Sequence, residues 1–297
     1  MNYTSAEPYR FIVHILTGAV FISFSGVWVA LSQVEPMISA FYRVFFGAVF
    51  LLVASIVTRD LKRVRAKTWL YCTLCGLCFS GNLVCWHQAV DYVGPGLATI
   101  LGNFQVFVLT LISLLFFGQV PRITYFIALA LAFIGLFLVI GINWEMLPAT
   151  YRVGVYLGLM TALLYAAFIL SLRKIQQLEG NISFIYTLLL VSVVTSMILG
   201  PLAWGAGKSF AIPSLSSLGA LVALALFSQT IGWAFIARSL PHVIPSLAGL
   251  ILLLQPALAF LWDVLFFDRQ TSAIQSIGIV IVLAAIYLGT RSSRKIP

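Results

Sequence analysis

Charge is what this sequence lacks. Lys, Arg, Asp and Glu make up 8% of its 297 residues, and only eight of them are acidic, whereas a soluble domain carries about 25% charged residues. Hydrophobic residues account for 62% and mean hydropathy is +1.08. No globular protein can hide that much apolar surface from water, so the solvent for most of the chain must be lipid. Other absences narrow the chemistry. There is no phosphate-binding glycine loop, which removes ATP as a direct energy source. There is no HExxH, and no Ser/His pair at matching depth for an intramembrane protease. The four cysteines, Cys72, Cys75, Cys78 and Cys85, all fall in one apolar stretch. Without a second ligand set they read as small packing residues rather than a metal site. No enzyme and no cofactor is expected.

What the chain does have is long apolar runs. A span needs about 20 apolar residues, and ten are read, over 11–32, 36–58, 68–90, 94–117, 122–141, 154–174, 182–204, 217–238, 243–266 and 271–290. The fold class is therefore an all-α integral membrane protein of ten transmembrane helices. The run from Phe11 to Leu31 is too long for a cleavable leader and reads as the first span. Connections as short as Ser32–Glu35 and Asp91–Gly94 make consecutive helices antiparallel neighbours.

Basic residues set the orientation. With the N-terminus inside, the inner face receives Arg10, the five from Arg59 to Lys67, Arg122, Arg173, Lys174, Arg238, Arg291, Arg294 and Lys295, thirteen of the seventeen. The outer face receives Arg152, Lys208 and Arg269, while Arg43 lies within a span. Both termini are expected to be cytoplasmic. The net charge of +9 is thus a topology signal, and no nucleic-acid partner is expected.

The chain also repeats itself. Leu101–Val120, LGNFQVFVLTLISLLFFGQV, is echoed by Ile251–Gln270, ILLLQPALAFLWDVLFFDRQ. At that offset Gln105 meets Gln255, Leu111 meets Leu261, and Leu115–Phe117 meets Leu265–Phe267; each copy is followed by one more apolar helix. A duplicated five-helix unit follows, with one copy over about 9–141 and the other over about 154–290. Five is odd, so the second copy enters the membrane upside down. Inverted repeats give related conformations open to either side around a site at the midplane, which is the main argument for transport. The fifth and tenth spans carry small residues, Ala128, Ala132 and Gly135 in one and Gly278, Ala285 and Gly289 in the other. They are read as scaffold or homodimer contacts rather than pathway.

Four stretches carry a family resemblance: AFYRVFFGAVFLL (40–52), GPGLATILGNFQVFVLTLISLLFFGQ (94–119), GVYLGLMTALLYAAFILSLRK (154–174) and SLAGLILLLQPALAFLWDVLFFDRQ (246–270). The sequence resembles the drug/metabolite transporter superfamily, in particular the EamA-type permeases, over nearly its whole length. The family's Arg early in the second helix is matched by Arg43, and its mid-helix Pro in the ninth by Pro256. The related Pro of the fourth helix is replaced by Val106, which removes the usual cause of a kink there. Where the family favours Glu at the ends of these helices, this chain has Gln119 and Asp268. The resemblance implies a secondary transporter in which helices one to four and six to nine line a central cavity, with members mostly exporting small metabolites such as amino acids.

Polar residues within spans nominate the pathway. A charge at a span centre costs about 2.5–3.5 kcal/mol on translocon scales, so such residues face protein or water. Arg43 and Asp263 both fall in the outer third. They read as a gate pair, or as a guanidinium for a substrate carboxylate beside a carboxylate for an amine or proton; snorkelling is the structural alternative. Nearer the midplane lie Ser23 and Ser25, Asn82, Asn103, Gln105, Gln229 and Gln255. Each amide taken singly serves as interhelical glue, whereas the set converging from several helices lines a cavity. Tyr165 and Trp233 could stack on a ligand. His87 is a candidate proton shuttle, against a hydrogen-bonded helix-end histidine.

The expected function is alternating-access export of a small metabolite, such as an amino acid or related compound, across the cytoplasmic (inner) membrane. Import, channel-like facilitation and, further off, intramembrane catalysis are the alternatives. The partners expected are the small-molecule substrate, the lipid bilayer, and a second copy docked through the fifth and tenth helices.

Overall fold

The computed structural model describes residues 7–118, 121–140, 151–178, 182–267 and 271–292. Among them there is no strand. Nine helical stretches are long and apolar enough to cross a membrane, and Ile123–Leu138 is a shorter apolar one. The protein is a multi-pass membrane protein of about ten spans.

Span one is α1 (Glu7–Ser23) plus α2 (Ser25–Ser32), and span two is α3 (Pro36–Val57), begun by a proline at its first position, where no amide hydrogen is missed. Spans three and four run through α4 (Ala66–Asn103) into α5 (Gln105–Phe117), and span five is α6 (Ile123–Ile140). In the second half, α7 (Tyr151–Leu178) and α8 (Phe184–Gly205) are spans six and seven. Span eight joins α9 (Leu215–Ala223), a π-helical segment (Leu224–Gly232) and α10 (Trp233–Ser239). Span nine is α11 (Pro245–Leu252) with α12 (Leu254–Phe267), and span ten is α13 (Ala273–Ser292).

The expected loop at 91–94 is not a loop. The backbone keeps a helical conformation from Ala66 to Asn103, the connection included. Yet α4 is not straight, because Thr161 of α7 touches it twice. Asn82 Nδ2 donates to the Thr161 carbonyl at 3.0 Å, and a Cβ on Gly102 would lie 3.2 Å from Thr161 Cγ2. Residues 82 and 102 would be about 30 Å apart on a straight helix at 1.5 Å per residue. The chain therefore folds back between them, and spans three and four are antiparallel neighbours as their spacing requires.

Packing repeats under exchange of the two halves. Span one packs on spans eight and nine, and span six packs on spans three and four. Span two packs on eight, and seven on three; spans two and seven, four and nine, and five and ten pair with one another. Each of the last three pairs is antiparallel. Phe41, near the start of α3, meets Gly200, near the end of α8. Ser113 of α5 meets Ser246 of α11 while Val106 meets Gly249. Gly135 of α6 meets Gly278 and Val282 of α13, and Ala128 meets Gly289. When equivalent helices cross antiparallel, the twofold axis relating them is perpendicular to the helices and so lies in the membrane plane. The two five-helix repeats are inverted.

Small residues make the five–ten contact close. Ala128, Ala132 and Ala285 are fully buried within one chain. The small faces are thus spent inside the monomer; the outward faces of these helices carry Ile123, Ile127, Ile134, Ile277 and Val280 instead.

Three spans are interrupted at their middles, at Phe24, Phe104 and between α11 and α12 at Leu253. At Leu253 the cause is Pro256, which cannot donate to the preceding turn and crowds it. At Phe24 the flanking hydroxyls of Ser23 and Ser25 donate to the carbonyls of Val20 and Ile22, three residues back, at 2.6 Å each, which loosens the backbone ladder. At Phe104 no proline is present. The break follows Gly102 and Asn103, and Asn103 Nδ2 donates to the Thr99 carbonyl at 2.8 Å. It falls on Phe104 and so just ahead of Gln105, as the break at Leu253 falls two residues ahead of Gln255.

Candidate functional site

Span eight positions the first member of the site. Its π segment adds a residue per turn; Thr230 Oγ1 donates to the Ala225 carbonyl, five residues back, at 2.9 Å. π-Segments of this kind are frequent at functional sites. Here Gln229 is turned into the protein, 2% exposed. Its Nε2 donates to Ser192 Oγ of α8 at 3.1 Å, and its Oε1 accepts from Arg43 Nε of α3 at 3.1 Å. Gly47, one turn after Arg43, makes this possible: a Cβ there would lie 2.6 Å from Gln229 Cγ. The row Ser192–Gln229–Arg43 thus crosses from the second repeat into the first.

Arg43 is half-buried, and among the described residues it has no ion-pair partner. Tyr165 of α7 faces it closely enough to interact electrostatically, and the same hydroxyl faces the side chain of Gln255 on α12. Beneath Tyr165 lies an aromatic floor. Phe79 and Phe168 stack at 4.5 Å between centroids, Trp233 meets Phe168 edge-on at 4.8 Å, and Tyr165 is 6.2 Å from Trp233. The arrangement is a polar group drawn from five spans and resting on apolar rings, with a guanidinium among its members.

Four of the residues singled out from the sequence come together in this group: Arg43, Gln229, Tyr165 and Gln255. Trp233 supports it from below and is itself covered, at 1% exposure. Gln105 is fully buried, and neither end of its amide has a hydrogen-bond partner among the described residues; Gln255 Nε2 also has none. Neither amide faces lipid as a solvated group would: Gln105 is enclosed by protein, and Gln255 points to Tyr165. Other expected residues are engaged elsewhere. Asn82 is tied to the Thr161 carbonyl, Asn103 to its own helix, and His87 Nδ1 to the Leu83 carbonyl at 2.7 Å. Ser23 Oγ accepts from Trp262 Nε1 at 2.8 Å, and that indole stacks on Phe24 at 4.2 Å. The Asp263 side chain, with Gln119 and Asp268, lies outside the described residues.

Reading the sequence missed Ser192, Gly47 and Trp262. Ser192 is one of several serines and threonines in α8, and nothing in its spacing separates it from Thr195 or Ser196. Cys72 and Cys75 are fully buried, Cys78 and Cys85 partly so, and Cys75 Sγ lies 3.6 Å from the Phe168 carbonyl.

About ten apolar spans in two inverted repeats, with a polar group between the repeats, are the architecture of a membrane transporter. The chain belongs to the EamA-like transporter family, whose model matches it twice, over residues 10–141 and 152–291. It is 23% identical over 214 residues to the pseudopaline exporter CntI of Pseudomonas aeruginosa, in two strains, across 71% of this chain and 72% of that protein. A solved crystal structure superposes with a TM-score of 0.81, covering 94% of this chain and 98% of that one at 15% identity, a likeness of fold.

Proposed function

We propose that this protein exports a small carboxylate-bearing metabolite, such as an amino acid or a related compound, across the cytoplasmic membrane by alternating access. Both termini are on the cytoplasmic side. The observation that carries the reading is the Arg43 guanidinium, held within a span by Gln229 of the opposite repeat and facing Tyr165, which in turn faces Gln255. A guanidinium within a span offers the planar fork that matches a carboxylate in two-pronged geometry. Inversion of the repeats supports alternation, since two packings related by the in-plane axis expose the same group to opposite sides. The CntI relative, an exporter by name, supports the direction. In this reading Arg43 takes the carboxylate, Tyr165 and Gln255 supply polar contacts, and Trp233 with Phe168 backs the ring of Tyr165. Asp263 and His87 are the gating or coupling residues to test. Asn103, Gln105 and Ser23 join the lining in the conformation open to the other side, and a second copy docks on the outward faces of spans five and ten.

Counterflow in proteoliposomes tests the proposal. Liposomes preloaded with an unlabelled amino acid should accumulate the labelled one transiently, at carrier rates. Flux far above a carrier's without counterflow would mean a channel, and uptake into cells rather than efflux would mean an importer. Turnover of substrate to product would mean an enzyme.

A further inference from the structure

We propose that Ser192 is the positioning residue of this site, acting through Gln229 to fix which edge of the Arg43 guanidinium is offered to substrate. This rests on Arg43 as the carboxylate-binding group. Ser192 is fully buried on α8, touches Gln229 and makes no claim on the pathway itself. Its importance is as the anchor of the amide beside it, which has two unlike ends. A carboxamide has a donor end and an acceptor end of nearly equal size. With Ser192 Oγ accepting from Nε2 at 3.1 Å, the oxygen is left turned toward Arg43 Nε, also at 3.1 Å. Turned over, the amide would set N–H against N–H and repel the guanidinium. The donor-only Arg43 Nε–H sets the sense of the amide, and the Ser192 hydroxyl anchors its far end so that the oxygen is held on Nε.

That sense has a consequence for specificity. A guanidinium can grip a carboxylate side-on, through Nε and one terminal nitrogen, or end-on, through both terminal nitrogens. Gln229 occupies Nε, so the side-on grip is closed and the end-on one remains. Gly47 lets Gln229 lie tightly against α3, and burial of Gln229 leaves the amide no water as an alternative partner. The carboxylate must approach the terminal edge of Arg43, and a carboxamide, which puts an N–H against that edge, is refused.

The relay can be read without knowing the substrate. In full-length protein labelled with 15N-arginine, the Nε–H signal of Arg43 is identified by its loss in Arg43→Lys. Its exchange with water should be slower than that of exposed arginines by roughly tenfold or more, the scale of one charge-assisted hydrogen bond. Ser192→Ala should abolish the protection, Gln229→Leu likewise, and Ser192→Thr, which keeps the hydroxyl, should restore it. Unchanged protection in Ser192→Ala overturns the relay. The second arm is transport of the twenty proteinogenic L-amino acids and their carboxamides in proteoliposomes. For whichever acid is carried, Ser192→Ala should raise KM roughly tenfold by the same scale, with kcat little changed, narrow the preference for acid over amide, and be rescued by Ser192→Thr. A wild-type KM in Ser192→Ala despite lost protection overturns the positioning role. Normal transport by Arg43→Lys, or transport of none of these acids, overturns the carboxylate reading alone, and the exchange measurement then judges the relay by itself.

Discussion

A Cβ placed on Gly135 would lie 2.7 Å from the carbonyl oxygen of Gly278, on the helix that occupies the same place in the other repeat. Two backbones are in contact there, one from each half, and no flexible side chain can move to make room. This seam between α6 and α13 holds the inverted halves together at one edge of the molecule. Gly135→Ala should lower stability by about 1–3 kcal/mol, the usual cost of overpacking, and Gly135→Leu should prevent folding. Thermal unfolding in detergent checks both; an unaffected melting temperature in Gly135→Ala would place the seam elsewhere.

Gln105 is fully buried with both ends of its amide unpartnered among the described residues. An unsatisfied buried polar group costs about 1–3 kcal/mol. Gln105→Leu, which removes the polar atoms and keeps the shape, should therefore raise the melting temperature. If the amide serves transport, the same variant should lose turnover. Stabilisation with full transport would show that Gln105 has no part in the pathway, and destabilisation would show that it is satisfied within the fold.

At Arg43 the substitutions differ in what they remove. Arg43→Lys keeps the charge and loses the Nε donor and the planar fork; Arg43→Gln loses the charge as well. Both should lower kcat/KM, each by roughly tenfold or more, since lysine is no substitute at a bidentate site. Wild-type transport by Arg43→Lys would reduce the residue to a point charge.

Asn82 is tied to a backbone carbonyl across the α4–α7 contact. Asn82→Ala should cost about 0.6–2 kcal/mol of stability, the worth of one interhelical hydrogen bond in a membrane, without altering KM. A raised KM at unchanged stability would instead place Asn82 on the substrate.

Between the connections that join spans one to two and seven to eight, Lys208 Nζ and Glu35 Oε2 are 2.7 Å apart, with side chains 40% and 52% exposed. An exposed pair contributes about 0–1 kcal/mol. Glu35→Gln should leave the melting temperature nearly unchanged at physiological salt. A shift of many degrees would mean that this pair clamps the two connections together.

The interruptions show where residue patterns stop being informative. Pro256 announces the break in span nine, because a proline removes a donor wherever it stands. Its counterpart in span four carries Val106, yet the chain breaks there too, at Phe104. The break at Phe24 is flanked by serines that turn back on their own helix, but Ser80 and Ser196 do the same in unbroken helices, so the residue type alone does not announce a break. The π turn around Gln229 has no residue signature at all. It is stabilised by where Gln229 goes once α3 and α8 are beside it.

By itself the sequence determined the solvent, the number of spans, the parity that inverts the second repeat, and Arg43 as a charge that must be held by something. These follow from composition and from periods read along one chain, and lipid enforces them span by span. Only the tertiary structure decided which polar groups meet. Ser192, Gln229 and Arg43 stand on three helices, the most distant pair 186 residues apart, and a hydrogen bond depends on tenths of an ångström between side chains whose separation along the chain carries no such information. Asn82 and Gln229 looked alike as amides in apolar helices; packing tied one to a neighbouring backbone and turned the other to a guanidinium.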